Sequence, residues 1–304
     1  MTNNKAIATP SRTSQILKKY NLSAKKSLGQ NFIIDPNIMD NIVKIAQIDQ
    51  QTNVIEVGPG IGALTESLAE AAHQVLSFEI DDRFIPVLEN ELGHYDNLKI
   101  VHADALSVNL RKYVDDYFDA DLPLVLTANL PYYITTPILM HFLESDLDLE
   151  SMTVMIQKEV AERLSAKPGT KAYGSLSIAV QYYMQVEIAA IVPPTVFNPA
   201  PNVDSAIIHM SKYKKKPVEV KDEDFFFRLV RQGFVQRRKT LRNNLIVGLG
   251  KEEATKEKID LAIESSGLDP KVRGEALSIS DFSRLAEELK ALDVAITDFD
   301  PKKS

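Results

Sequence analysis

The chain has 304 residues and no cysteine, and its 35 basic and 42 acidic residues leave a net charge of −7. Without cysteine there are no disulfides, thiolate metal sites or cysteine nucleophiles, and the length suggests about two domains. No apolar run is long enough for a membrane span and the start, MTNNKAIATP, has no signal-peptide core, so a cytoplasmic, monomeric protein without a membrane partner is expected.

In chain order, Asp35-Pro36 opens a helix over NIMDNIVKIAQI: an N-cap carboxylate, then proline at the first helical position. NVIEV (53–57) reads as a strand, ALTESLAEAA (63–72) as a helix, QVLSFEI (74–80) as a strand and DRFIPVLENEL (82–92) as a helix. LKIVHA (98–103) and LPLVLTA (122–128) are further strands; TPILMHFLE (136–144) is helical, SMTVMIQ (151–157) a strand, and VAERL with its flanks a helix. Strands alternating with helices imply βαβ units and a parallel sheet covered on both faces. EIAAIVPP (187–194) and VDSAIIHMSK (203–212) follow as strands. KYKKKPVEVKDED (212–224) reads as a linker, which divides the chain into residues 1–211 and 212–304. The second part should be small and all-α, with FFRLVRQGFVQRRKTLRNNLIVGL as one long helix.

EVGPGIGALT (56–65) joins a strand to a helix, and Gly58, Gly60 and Ala63 satisfy the loose dinucleotide spacing. Glycines permit a tight turn and close approach of a ligand; a bare turn is the plainer reading. Glu79 ends the second strand, 21 residues beyond Gly58, where an acidic residue binds a ribose diol in doubly wound folds. An ordinary solvated carboxylate is the alternative. Asp104, just past the third strand, has the right chemistry to accept from an adenine amine, though taken alone it favours an Asx turn.

Asn129-Leu130-Pro131-Tyr132 ends the fourth strand on the same rim. The Asn129 side-chain oxygen and the Pro131 carbonyl can each accept one hydrogen of a planar exocyclic amine such as adenine N6. That favours pyramidalisation and aims the lone pair at an incoming methyl, while Tyr132 stacks on the base. A tight turn with a core tyrosine is the plainer alternative. In FNPAPNVDSA (197–206), Pro199 and Pro201 stiffen a loop from which Phe197 covers the other face of a flipped base, unless it is a hydrophobic plug. Residues 225–246 hold six basic residues, Arg228, Arg231, Arg237, Arg238, Lys239 and Arg242, and no acidic one, so the remainder sums to −13. On a continuous helix, positions 231, 238 and 242 fall near one face. Phosphates of RNA suit such a stripe better than a merely solvated face would. The five histidines show no metal-ligand spacing, and no metal is expected. KPGTKAYG (167–174) reads as a mobile rim loop that orders on RNA.

KKSLGQNFIID (25–35), EVGPGIGALT, FEID (78–81), ADAL (103–106), TANLPYYITTPI (127–138) and FNPAPNVDSA occur in this order, and together they resemble the ribosomal RNA adenine dimethyltransferases, most closely the bacterial small-subunit type. The likeness runs from about residue 15 to about 285. It implies an α/β fold, a Rossmann-like S-adenosylmethionine-dependent methyltransferase sheet with a small C-terminal all-α domain that binds RNA. It also implies S-adenosylmethionine as cofactor, held by Asn31, Ile33, Gly58, Glu79, Asp104 and Asn129, with Asn129, Pro131, Tyr132 and Phe197 serving catalysis. The expected partner is small-subunit rRNA in a pre-ribosomal particle, methylated twice at N6 of each of two adjacent adenosines. The other readings are a sibling enzyme acting on large-subunit rRNA, a non-catalytic assembly factor and a nicotinamide-dependent dehydrogenase. The last accounts for neither NLPY nor the basic run.

Overall fold

The computed structural model describes residues 5–25 and 29–295 and divides them between two units. Lys26, Ser27 and Leu28 of the KKSLGQ motif lie outside the described residues.

The first unit comprises residues 1–161 and 185–212. Before the sheet come helix α1 (Pro10–Lys19), the two-residue strand β1 (Phe32–Ile33) and helix α2 (Pro36–Ile45). Asp35 caps α2 as expected, accepting from the Asn37 amide. Thr9-Pro10 plays the same part for α1, an N-cap and N1 pair that goes unread in the sequence. The chain then alternates through β2 (Asn53–Val57), α3 (Ala63–Ala71), β3 (Gln74–Glu79), α4 (Ile85–Leu92), β4 (Leu98–His102), α5 (Leu110–Tyr117), β5 (Leu124–Asn129), α6 (Thr135–Leu143) and β6 (Leu149–Gln157). Helix α7 (Lys158–Leu164) follows β6.

Every residue of β2 is buried, as a central strand with helices over both faces requires. The seven-stranded sheet runs β4-β3-β2-β5-β6 in parallel and is completed by β9 (Ser205–Lys212), antiparallel to β6, and β7 (Met184–Val192) at the edge. The short β8 (Phe197–Asn198) pairs antiparallel with β1, setting Ile33 opposite Phe197. From β2 the chain builds outward in one direction through β3 and β4, and then in the other through β5 and β6. The junction between β2 and β5 is therefore the switch point, where the carboxyl ends of strands leave a crevice. Gly58 and Asn129 sit at those two ends.

The second unit comprises, among the described residues, 162–184 and 213–295, and its elements are helices. Residues 162–184 thus belong with the helices, although the linear division at 211 leaves them in the first part. The reason is burial: α8 (Ser175–Tyr183) contributes Ile178 and Tyr182 to a core with Phe225, Phe226, Leu229 and Leu245, and the Tyr182 and Phe226 rings lie 5.4 Å apart. The long helix expected over 226–249 is two helices, α9 (Glu223–Gly233) and α10 (Leu241–Leu249). Asn244, almost wholly buried, donates to the Gly233 carbonyl (2.8 Å) and accepts from the Gln236 amide (3.2 Å), which holds the break open. Thr240 then caps α10. Helices α11 (Glu253–Ser265) and α12 (Ile279–Ala291) complete the unit.

At Gly274 an added Cβ would stand 2.5 Å from the Gly233 carbonyl oxygen, which is backbone and cannot swing away. Gly274→Ala is expected to destabilise this unit by about 1–3 kcal/mol, read from the urea midpoint of its helical signal. No helix among the described residues is long and apolar enough to cross a membrane.

Candidate active site

A cleft with about 900 Å³ of open space lies at the switch point, lined from 29–33, the glycine turn, the end of β3, 129–133 and Phe197. It brings together Asn31, Ile33, Gly58, Glu79, Asn129, Pro131, Tyr132 and Phe197 of the expected residues. Asp104 is not in its lining. Its carboxylate caps its own turn, accepting from the Leu106 amide (2.9 Å) and the Ser107 hydroxyl (3.2 Å), which is the Asx arrangement. It nonetheless borders the rim, because the neighbouring Ala103 amide donates to the Glu79 carbonyl (2.9 Å).

Gly58 and Gly60 have φ of +71° and +59°, so their backbones favour glycine. A Cβ built on Gly58 meets nothing within 4 Å; the space in front of the turn is open to a ligand. Glu79 is 4% exposed and fastens this turn: one carboxylate oxygen accepts from the Gly60 amide (2.9 Å), the other from the Asp81 amide (2.8 Å). Burial raises its pKa against the pull of those N–H groups.

Asn129 is half-buried, and its side chain makes no hydrogen bond among the described residues. The Pro131 carbonyl, expected to accept from an amine, already accepts from the Ile134 amide (3.2 Å) and the Thr135 hydroxyl (3.1 Å). With both lone-pair directions used at the start of α6, it serves that helix. The Leu130 carbonyl, one residue earlier in the lining, accepts no bond among the described residues. The Tyr132 hydroxyl is tied to Ser205 Oγ at 2.8 Å, which fixes its ring, and burial raises its pKa. Phe197 is 5% exposed on β8, where pairing with β1 holds it. Asn31 turns back to the Gly29 carbonyl (3.0 Å).

Three residues that the sequence reading passes over, Gln30, Asp81 and Glu56, line this site. Asp81 accepts from Gln30 (3.0 Å) and from the Arg83 guanidinium (2.5 and 2.8 Å), joining the 29–31 segment to the end of β3. The Arg83 hydrogen bonds hold its pKa down at about 2. Glu56 is the third. It lies 1% exposed beneath the glycine turn, accepts from Ser77 Oγ at 2.6 Å and lines the cleft. Burial pushes its pKa to about 7, from an ordinary 4.5.

Between pH 4.5 and 7 the folded chain therefore holds a proton at Glu56 that the unfolded chain releases, and stability falls as pH rises through that window. Glu56→Gln removes this term. Its stability relative to the parent should rise by about 3 kcal/mol between pH 4.5 and 8, measured by denaturant unfolding at each pH.

The six cations of the basic run do not form one stripe, since the chain breaks after Gly233. Arg228 and Arg231 lie on α9, Arg237, Arg238 and Lys239 in the connecting turn, and Arg242 on α10. Arg242 is held bidentately by Asp260 at 2.5 and 2.8 Å. Among the described residues no three His, Cys, Asp or Glu side chains gather as a metal site.

The ribosomal RNA adenine dimethylase family matches residues 21–290. A ribosomal RNA small subunit methyltransferase A of Streptococcus thermophilus is 55% identical over 284 residues, 93% of this chain and 98% of that protein. Its Enterococcus faecalis counterpart is 57% identical over 290 residues, 95% of this chain and 98% of that protein. Among solved structures, a dimethyladenosine transferase from Plasmodium falciparum superposes with a TM-score of 0.73 at 25% identity, covering 87% of this chain and 99% of that one. A 23S rRNA methyltransferase gives 0.65 at 25% identity, covering 86% and 100%.

Proposed function

Because the chain belongs to the ribosomal RNA adenine dimethylase family, we propose that it dimethylates N6 of two adjacent adenosines near the 3′ end of small-subunit rRNA, using S-adenosylmethionine bound in the switch-point cleft. It is an rRNA adenine methyltransferase with the α/β fold of S-adenosylmethionine-dependent enzymes. The observation that carries the site assignment is the convergence of Gly58, Glu79 and Asn129 at the carboxyl ends of β2, β3 and β5.

The lining suits the cofactor: an open space before a glycine backbone, a buried carboxylate at the end of β3 and an apolar floor. S-adenosylmethionine supplies a methyl group activated by its sulfonium. Gly58 lets the backbone approach it, Glu79 accepts from the ribose hydroxyls, and Asn31 and Ile33 close the near wall. The Asp104 carboxylate reaches the adenine amine only if its turn shares it, which its remaining lone pairs permit.

What remains for the protein is to position the substrate amine. The Asn129 side-chain oxygen and the Leu130 carbonyl each accept one amine hydrogen and direct the lone pair. Tyr132, held by Ser205, and Phe197, held on β8, supply the flat surfaces for the base. Pro131 stiffens the turn and starts α6. Arg237, Arg238 and Lys239 take rRNA phosphates. Action in the cytoplasm, on a pre-ribosomal particle and as a monomer, belongs to the same proposal.

A large-subunit target is disfavoured, since relatives named for the small subunit are 55–57% identical over at least 93% of the chain, against 25% for the 23S rRNA enzyme. The test is incubation of unmethylated small-subunit particles with labelled S-adenosylmethionine, followed by mass spectrometry of rRNA fragments. Two neighbouring dimethyladenosines near the 3′ end are expected. Label only in large-subunit rRNA, or none in either, would overturn the assignment.

A further inference from the structure

We propose that the Tyr133 ring is a stacking platform for the base beside the adenosine being methylated, and that this base is the second of the two adjacent adenosines. This deepens the rRNA reading above and rests on it.

The two consecutive tyrosines of NLPYY are held differently. The Tyr132 hydroxyl is tied to Ser205, and its ring is half-buried in the cleft. Tyr133 lines the same cleft but is 57% exposed, and neither its ring nor its hydroxyl has a partner among the described residues. Its backbone is fixed all the same. It sits inside the turn that the Ile134 amide and the Thr135 hydroxyl close on the Pro131 carbonyl. Gly29, at φ +60°, stands beside it: a Cβ built there would lie 3.6 Å from Tyr133 Cδ1 and 3.5 Å from Pro131 Cβ. A ring carried on fixed backbone thus leaves more than half of its surface open, in the lining of the cleft.

Scattered exposed apolar side chains are ordinary. Tyr133 is set apart by its place. Ile191, Val203, Val247 and Leu261 are also exposed, and none of them lines the cleft. Ile80 does line it, but follows Glu79 and so borders the cofactor half. Tyr133 follows Asn129 and Tyr132, the residues given to the substrate base.

The chemistry of the substrate supplies the occupant. An adenosine enters the cleft only by leaving its stack, and the neighbouring base then has one face uncovered. An aromatic ring in the lining covers that face again. When the sister adenosine has reacted first, its N6 carries two methyls and no hydrogen. A residue that recognised it by a hydrogen bond from N6 would then lose it. A flat ring holds it in either order, because stacking needs only the face of the base. One ring lies on one side of the flipped nucleotide, so it meets the sister base for one of the two targets.

The test measures methyl transfer by the full chain to unmethylated small-subunit particles. Tyr133→Ala should raise KM for the particle by about 5- to 20-fold. Its kcat should stay within about threefold of the parent, its S-adenosylmethionine affinity by calorimetry within about twofold, and its melting temperature should hold, since the ring is exposed. Tyr133→Phe and Tyr133→Trp keep a flat ring and should match the parent within about twofold. Tyr133→Leu, apolar without such a ring, should resemble alanine. Particles rebuilt with uridine in place of one adenosine or the other leave a single target each. Uracil stacks weakly, so the penalty of Tyr133→Ala should fall below about twofold in one rebuilt particle and persist in the other. A parental KM in Tyr133→Ala would overturn the platform. So would a leucine variant as good as phenylalanine, a penalty that persists in both rebuilt particles, or a loss that falls on S-adenosylmethionine affinity instead. Parent protein that leaves small-subunit particles unmethylated sinks the rRNA reading; a methylating parent with any of those results sinks the platform alone.

Discussion

Asn129→Ala is expected to lower methyl transfer by about 10²–10³-fold while RNA affinity stays within about twofold of the parent. The expectation follows from how the residue is held. Its backbone sits opposite Met155 of β6, and the next amide, of Leu130, donates to the Met155 carbonyl at 3.1 Å. Alanine leaves those bonds in place, so the turn keeps its course and the melting temperature should barely move. What disappears is an acceptor otherwise without a partner among the described residues, in the lining of the cleft. An amine steered by the Leu130 carbonyl alone rotates about that single bond and seldom presents its lone pair in line. The loss should therefore fall on kcat and spare KM for RNA, the pattern of an interaction made in the transition state. Asn129→Asp keeps an acceptor oxygen and should retain part of the rate. Pro131→Ala preserves every carbonyl and should cost far less than Asn129→Ala. Full activity in Asn129→Ala, or a rise in KM at constant kcat, would refute the orienting role.

Punctuation made the site readable. Gly58 and Glu79 lie where a strand gives way to a turn, and Asn129-Leu130-Pro131 ends β5 with residues that cannot continue it. Local composition marks such boundaries, so the sheet and the rim where the cleft lies are legible in the sequence. Long-range pairing leaves no comparable trace. Gln30 meets Asp81 across 51 residues of chain, β1 meets β8 across more than 160, and neither short strand has the length or alternation to declare itself. Glu56 lies inside a quoted motif, yet only its burial against Ser77 reveals an unusual carboxyl. The basic run misled through its periodicity. Helical spacing put three arginines on one face, but buried Asn244 and Gln232 bond across the interval and break the helix there. The segment 162–184 misled through its charged and glycine-containing loop, which hides a helix whose apolar side chains fill the core of the second unit.

Glu79→Gln should weaken S-adenosylmethionine binding by about 10²-fold and S-adenosylhomocysteine binding by the same factor. The two ligands share the ribose and differ at sulfur, so a residue that reads the hydroxyl pair cannot tell them apart. In the parent each carboxylate oxygen takes one backbone N–H, from Gly60 or Asp81, and keeps a second lone pair for a hydroxyl. Glutamine retains one such oxygen. Its amide nitrogen accepts nothing and faces a backbone donor, so one hydroxyl loses its acceptor and the other a charged one. Hydrogen bonds to charged groups are worth about 1.5–3 kcal/mol each, and every 1.4 kcal/mol is tenfold in affinity. Acidity supplies a second measure. Because burial raises the Glu79 pKa, falling pH protonates this carboxyl before an ordinary glutamate and removes the acceptors. Parent affinity should then decline on the acid side sooner than exposed carboxylates titrate, and the glutamine variant should lose that slope. A loss confined to S-adenosylmethionine would move the carboxylate from the ribose to the sulfonium, and unchanged affinity would remove it from the cofactor site altogether.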